Sequence, residues 1–349
     1  MLLFSVIKVF LLSSLSFIVA VLWTPLLTHF LYRYKLGKQI RDDGSAPIFA
    51  KLHEAKRGTP TMGGILIWAT TCAVMLVFHF GAQLTGSPML ARLDFFSREQ
   101  TLLPVGALLA SALVGLVDDY YNVRRIGPHG GGLRMRHRLL LYTAIAAVGA
   151  WWFYYKLEWD LLRVPFVGDF NIGWWYIPFF ILVLVATSFS VNETDGLDGL
   201  AGGVLLSSYA AFGAIAFLQG KTDLATFCGV IAGGLLAFLW FNINPARFFM
   251  GDTGAMALGI TLGVVAMLTN SALLLPVIGL VFVVESVSVI IQMISKKIRH
   301  KKVFLSTPIH HHFEAIGWTE PKVVMRFWII AGVSAVSGLV IAMVDHGFF

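Results

Sequence analysis

The chain has 349 residues, 57% of them hydrophobic and 13% charged, and its mean hydropathy is +0.78; this composition excludes an ordinary soluble domain. Cys72 and Cys228 both fall inside apolar runs, which argues against a disulfide framework or a thiolate metal site. The formal net charge of +7 matters for where the basic residues lie, beside anionic lipid headgroups, and no nucleic-acid partner is expected.

In chain order, ten apolar stretches are long enough to cross a bilayer as helices: 3–30, 62–81, 101–118, 139–156, 174–191, 200–219, 223–241, 254–270, 272–295 and 326–346. The expected fold is an all-α polytopic membrane protein forming one domain over 1–349. The first stretch reads as a retained span, because it lacks a strongly basic leader and a small-residue cleavage site. Between the fourth and fifth stretches, Leu161 to Tyr176 alternates apolar residues around Gly168-Asp169, which predicts a small external β-hairpin.

Segments 31–61, 119–138, 192–199, 242–253 and 296–326 hold 20 of the 26 Lys and Arg residues. The positive-inside rule then gives both termini outside, with these five segments on the inner face. They also carry unusual polar strings. GLVDDYYNV ends a span with Asp118 and Asp119; an ionisable group at membrane depth costs roughly 2.5–3.5 kcal/mol on insertion scales. Two adjacent carboxylates there are either a water-exposed helix end or a metal or phosphate site.

SVNETDGLDGLAGG repeats Asn192, Asp195 and Asp198 every three residues, a spacing that shares one face in a helical turn; the bland alternative is an Asx-turn and helix cap. In WFNINPARFFMGDTGAMALG, Asp252 stands at the start of a span, where helix capping competes with metal binding. AKRGTPTMGG puts Lys56 and Arg57 before a Gly-Thr-Pro turn that opens another span, and a helix N-terminus suits a phosphate. STPIHHHFEAIGW holds His310, His311 and His312; consecutive residues point about 100° apart on a helix and cannot easily share one ion. Glu285, inside an apolar run, reads as part of a polar transport path or as a structural hydrogen bond. Carboxylates, cations and backbone donors gathered on one side of a membrane suit a diphosphate with Mg²⁺, which prefers oxygen ligands.

KRGTPTMGG, VDDY, NxTDGLDGLAGG, WFN, FMGDTG and PIHHHFE, followed by RFWII, resemble the phospho-N-acetylmuramoyl-pentapeptide transferase family of the polyprenyl-phosphate N-acetylhexosamine-1-phosphate transferase superfamily. The resemblance implies ten helices, a bacterial cytoplasmic-membrane location and an inner-face site. The implied reaction passes phospho-MurNAc-pentapeptide from UDP-MurNAc-pentapeptide to undecaprenyl phosphate, giving lipid I and UMP. It further implies Mg²⁺ at Asp252, Asp118 and Asp119 in the catalytic centre, His310 as catalytically required, and His311 and His312 beside it. Lys56, Thr61, Asn192, Asp195, Gly196, Leu197, Asp198, Asn242 and Phe249 are expected around the nucleotide, with Phe249 against uracil. A homodimer is expected on the same ground. Direct attack by the lipid phosphate and a covalent carboxylate intermediate both remain open.

Three positions depart from the family pattern: Glu193 in place of Leu, Asn122 in place of Lys, and Ala255 in place of Ser. Arg124, Arg125, Arg136 and Arg138 are the candidate replacements for the missing cation at 122, with Arg136 and Arg138 expected first because they match basic positions of the family pattern. Competing readings are a polyprenyl-phosphate GlcNAc-1-phosphate transferase, which PIHHHFE argues against, and a nucleotide-sugar or lipid transporter, whose polar residues belong at the midplane.

Overall fold

The computed structural model describes residues 2–37, 54–127 and 131–347. Its helices are α1 (Leu2–Arg33), α2 (Ile65–Thr85), α3 (Pro88–Leu93), α4 (Leu102–Val123), α5 (Met135–Trp151), α6 (Tyr176–Thr194), α7 (Leu200–Leu218), α8 (Thr222–Asn242), α9 (Asp252–Leu268), α10 (Leu275–Ile278), α11 (Leu280–Arg299), α12 (Ile309–Ala315) and α13 (Glu320–Asp345). Among the described residues seven helices are long and apolar enough to cross a membrane, α1, α2, α4, α6, α7, α8 and α13, and an eighth span results if the bent pair α10–α11 counts as one.

The three other expected spans differ for physical reasons. Helices α5 and α9 have 17 residues each, about 26 Å at 1.5 Å per residue, short of a hydrocarbon layer of about 30 Å. Helix α5 continues through a π turn, Trp152–Lys156. Helix α9 is buried from Thr253 to Leu268, so its surroundings are protein and its length need not match lipid. The expected span 272–295 bends by 84° between Ile278 and Leu280, where Gly279 interrupts the helix.

Polarity on α11 is reversed relative to a soluble helix. Val284, Val287, Ile291, Ile294 and Ile298 are exposed, whereas Glu285, Ser288, Gln292 and Ser295 are buried. The buried set recurs at three- and four-residue spacing, one helix face. An apolar outer face against lipid and a polar inner face against protein is the arrangement a bilayer favours.

Helix α9 is the axis of the fold, packed between α4 and α6, while α1 lies on α8, α8 on α7 and α7 on α13. Small residues permit these close approaches. A Cβ on Gly115 of α4 would lie 2.5 Å from the Asp252 carbonyl carbon and 2.6 Å from Thr253 Cα. The α4–α9 crossing therefore falls one turn before Asp118 and Asp119, and sets both beside the first turn of α9.

The expected hairpin forms from β1 (Leu161–Val164) and β2 (Gly168–Asn171), antiparallel, with Leu161 opposite Asn171 and Val164 opposite Gly168. Its turn is 165–167, just before the Gly168-Asp169 pair; Phe166 takes φ 65° and Gly168, at φ 126°, opens the second strand. Arg163 donates to Asp169 at 3.1 Å and from Nε to Asp345 at 2.5 Å. The hairpin is thus fastened to the end of α13, away from the start of that helix at Glu320.

Candidate active site

Asp118 is wholly buried and Asp119 is 3% exposed, which removes the water-exposed helix-end reading. The neighbouring carboxylates have different partners. Asp119 accepts the Thr61 hydroxyl at 3.1 Å and the Thr253 backbone N–H at 3.0 Å. It thereby satisfies one of the open N–H groups at the start of α9, where a negative charge is also favoured by the helix dipole. Asp118 accepts the Leu133 N–H and pairs with Arg138 Nη2; its Oδ2 receives no aligned hydrogen bond.

Asp252 is the first residue of α9, but Gly251 occupies the cap position and has no side chain to cap the helix. The Asp252 carboxylate instead meets Arg138 Nη2 at 3.1 Å and Asn192 Nδ2. Arg138 Nη1 reaches Asn192 Oδ1 at 3.3 Å. One guanidinium nitrogen therefore serves both Asp118 and Asp252, and its fork extends to Asn192. Of the two expected arginines, Arg138 is in the site; Arg136, about 200° away around α5, is exposed.

A second cluster forms around Lys56, in a short 3-10 turn (Glu54–Lys56) before α2. Its ammonium donates to Asp198 Oδ1 at 2.7 Å and to Glu320, and lies 5.8 Å from the ring centre of half-buried Phe249. Asp198 also accepts Asn244 Nδ2 at 3.0 Å and the Ala246 N–H at 3.1 Å, while Glu320 accepts the Asp198 N–H at 2.7 Å. Asn242 ties the neighbouring loops together, accepting the Gly199 N–H at 2.9 Å and donating to the Phe248 carbonyl at 2.7 Å.

The third cluster is the histidine helix α12. Gln292 accepts the N–H groups of Val303 and Phe304 at 2.9 and 3.1 Å and donates to the Phe304 carbonyl at 2.9 Å, so the chain folds back and seats α12 beside α11. His310 Nδ1 lies 2.9 Å from Glu285 Oε2, and His311 Nδ1 lies 2.7 Å from Glu314 Oε2. His312 turns away and accepts the Leu305 N–H at 3.3 Å.

The turn between α6 and α7 joins all three clusters. Asn192 enters the Asp118–Asp252–Arg138 group, Gly196 lies against His310 and His311, and Asp198 holds Lys56. Leu197 is buried between them in sequence, and Asp195 follows the last helical residue, Thr194, with φ −78° and ψ 53°. Asn192, Asp195 and Asp198 therefore do not share a helix face as their spacing predicts: the helix stops at Thr194, and Gly199 at φ 81° begins the next one. The start of α2 also departs from expectation. The Gly63 and Gly64 N–H groups donate to the Phe249 and Met250 carbonyls at 2.8 Å each, so they bind the protein's own loop.

Glu314 and Glu320 were not singled out from the sequence, and Glu285 was weighed without a partner. The 285, 288, 292, 295 polar stripe was the available signal for Glu285, and the His311–Glu314 spacing for Glu314. Glu320 stands 264 residues from Lys56, and no local pattern links them.

Apolar helices that enclose a carboxylate, guanidinium, lysine and imidazole site at their joined ends define an integral membrane protein equipped to handle anionic groups. Residues 101–270 match glycosyl transferase family 4, and residues 56–67 match phospho-N-acetylmuramoyl-pentapeptide-transferase signature 1. The chain is 39% identical over 350 residues to the phospho-N-acetylmuramoyl-pentapeptide-transferase of Chloroflexus aggregans, covering 97% of this chain and 90% of the relative. It is 39% identical over 326 residues to the enzyme of that name from Listeria welshimeri, covering 93% and 94%. The chain belongs to the phospho-N-acetylmuramoyl-pentapeptide-transferase family.

Proposed function

We propose that this chain transfers phospho-MurNAc-pentapeptide from UDP-MurNAc-pentapeptide to undecaprenyl phosphate, releasing UMP and forming lipid I, at the cytoplasmic face of a bacterial inner membrane. The observation that carries the reading is the 192–198 turn, which links a carboxylate–arginine group, a lysine beside an aromatic ring, and a histidine pair. Family membership supplies the substrates.

A phosphate monoester with a second pKa of about 6 is mostly ionised at neutral pH, so the acceptor needs holding more than deprotonation. In this reading Arg138 offers its forked donors to phosphate oxygens, and Asp118 orients the attacking group. Lys56 and Phe249 receive the nucleotide, with uracil against the ring, and His310 and His311 face the transferred portion. Thr61, Asn192 and Asp119 fix the positions of these groups.

Magnesium suits the donor set. Asp252 would hold it with Asp118 adjacent, because both carboxylates already converge on one cationic nitrogen, and substrate phosphates would complete its oxygen shell. When bound, the ion supplies neutralisation of diphosphate charge.

The proposed topology has ten passes with both termini outside, α5, α9 and the α10–α11 pair completing the count. Its support is that the site collects the ends of α4, α6 and α8 and the starts of α5, α7, α9 and α13. A homodimer is proposed from the resemblance. The donor distinguishes this reading from GlcNAc-1-phosphate transfer: with undecaprenyl phosphate as acceptor, UDP-MurNAc-pentapeptide should support turnover and UDP-GlcNAc should not. Comparable turnover with UDP-GlcNAc would reject it.

A further inference from the structure

A buried ionisable pair joins His310, which the resemblance assigns to the site, to Glu285, which it does not. Glu285 and His310 are both fully buried. Glu285 stands on a helix whose outward face is apolar, where a lone carboxylate is unfavourable and calls for a partner. That partner is His310 Nδ1 at 2.9 Å. A carboxylate accepts, so Nδ1 carries the proton, and the bond made at one ring nitrogen decides what the other presents.

The other nitrogen, His310 Nε2, has no hydrogen-bond partner in the protein. Buried polar atoms without a partner are rare, and this one is directed at the Gly196 turn. A Cβ on Gly196 would overlap His310 Nε2, and would lie 2.9 Å from His310 Cε1 and 3.2 Å from His311 Nε2. Both imidazoles are thus turned the same way, each with Nδ1 engaged by a carboxylate and Nε2 towards Gly196, their ring centres 4.0 Å apart. This accounts for consecutive histidines without a shared metal.

We propose that Glu285 is the positioning residue of His310: it fixes the Nδ1–H tautomer and the ring orientation, so that the bare Nε2 accepts a hydrogen bond from a substrate hydroxyl carried over the Gly196 turn. The role rests on the transferase reading for its substrate, while the tautomer and orientation do not.

The test uses purified full-length protein with UDP-MurNAc-pentapeptide and undecaprenyl phosphate, comparing Glu285→Ala, Glu285→Gln, His310→Ala and the Glu285→Ala/His310→Ala pair. Acid–base positioning of this kind is worth about 100-fold. Glu285→Ala should lower kcat by that order with KM for both substrates within about threefold of wild type, and Glu285→Gln, which keeps an acceptor oxygen, should recover part of the loss. The double variant should be no slower than His310→Ala, because a residue acting through another adds nothing once that partner is gone. A Glu285→Ala enzyme within threefold of wild type, or a double variant tenfold slower than His310→Ala, overturns the proposal. Nitrogen-15 NMR of labelled histidine gives an arm independent of turnover: wild-type His310 should show Nδ1 protonated and Nε2 bare, and Glu285→Gln is the variant in which to see the balance shift if Glu285→Ala does not fold. An Nε2–H tautomer in the wild type overturns the proposal. Absent UMP release with the Nδ1–H signature intact defeats the transferase reading and leaves the orientation standing.

Discussion

Asp119 accepts the backbone N–H of Thr253 at 3.0 Å, while Asp118, its neighbour in sequence, turns to Arg138. The two carboxylates of VDDY are therefore separated by task. Asp119→Ala leaves a buried N–H at the start of α9 unsatisfied, a loss of about 1–3 kcal/mol, and should lower the thermal midpoint in detergent together with activity. Asp118→Asn keeps an oxygen for the Leu133 N–H and leaves Arg138 paired with Asp252, so it should lower activity with a smaller fall of the midpoint than Asp119→Ala. Equal midpoints for both variants would refute the division.

Asp252→Asn should abolish magnesium-dependent turnover while the protein still folds, because an amide is a neutral and weaker ligand for a hard cation. Chelation of magnesium should silence the wild type and re-addition restore it. The check is UMP release across a magnesium titration, where a normal Asp252→Asn curve would exclude the carboxylate as a ligand.

Arg138 and Arg136 were equivalent candidates in the sequence and are not equivalent in the fold. Arg138→Gln removes the cation shared by Asp118 and Asp252; removing one member of a buried charge group costs roughly 3–5 kcal/mol. Turnover should fall by at least about 100-fold, the equivalent of 2.7 kcal/mol, with the apparent KM for undecaprenyl phosphate rising more than that for the UDP substrate. Arg136→Gln, at an exposed position, should stay within about twofold at fixed salt, since surface charges are largely screened. Similar losses for both variants would show that the arginines act through surface charge.

Gly196→Ala tests the turn that links the clusters. The added methyl falls on His310 Nε2, and overpacking of this kind costs typically 1–3 kcal/mol. Activity should fall by more than about tenfold, the equivalent of 1.4 kcal/mol, whereas Gly106→Ala, where a Cβ meets nothing within 4 Å, should retain it. A fully active Gly196→Ala enzyme would mean that the imidazole edges can move aside.

What the sequence made legible was set by cost. Asp118 and Asp119 stood out because carboxylates at a span end need a reason, and the 20-residue apolar runs stood out by length alone. The hairpin followed from alternation around Gly168. What stayed hidden depended on tertiary partners. The spans ending at 191 and restarting at 200 bracket the 192–198 turn, but nothing near Asn192 or Asp198 says that the two residues serve different clusters. Nothing near Arg138 distinguishes it from Arg136. Gly279 alone does not forecast an 84° bend, and the 17-residue α9 passes for an ordinary span until its complete burial is seen.

The most direct measurement of the central claim is product formation by the purified full-length protein, given UDP-MurNAc-pentapeptide, undecaprenyl phosphate and magnesium, with UMP followed by chromatography and the lipid product by mass spectrometry. The account predicts UMP and a polyprenyl-diphospho-MurNAc-pentapeptide in equal amounts, both lost when the lipid phosphate is omitted. UMP released at the same rate without the lipid acceptor, or no lipid-linked product with it, would contradict the account.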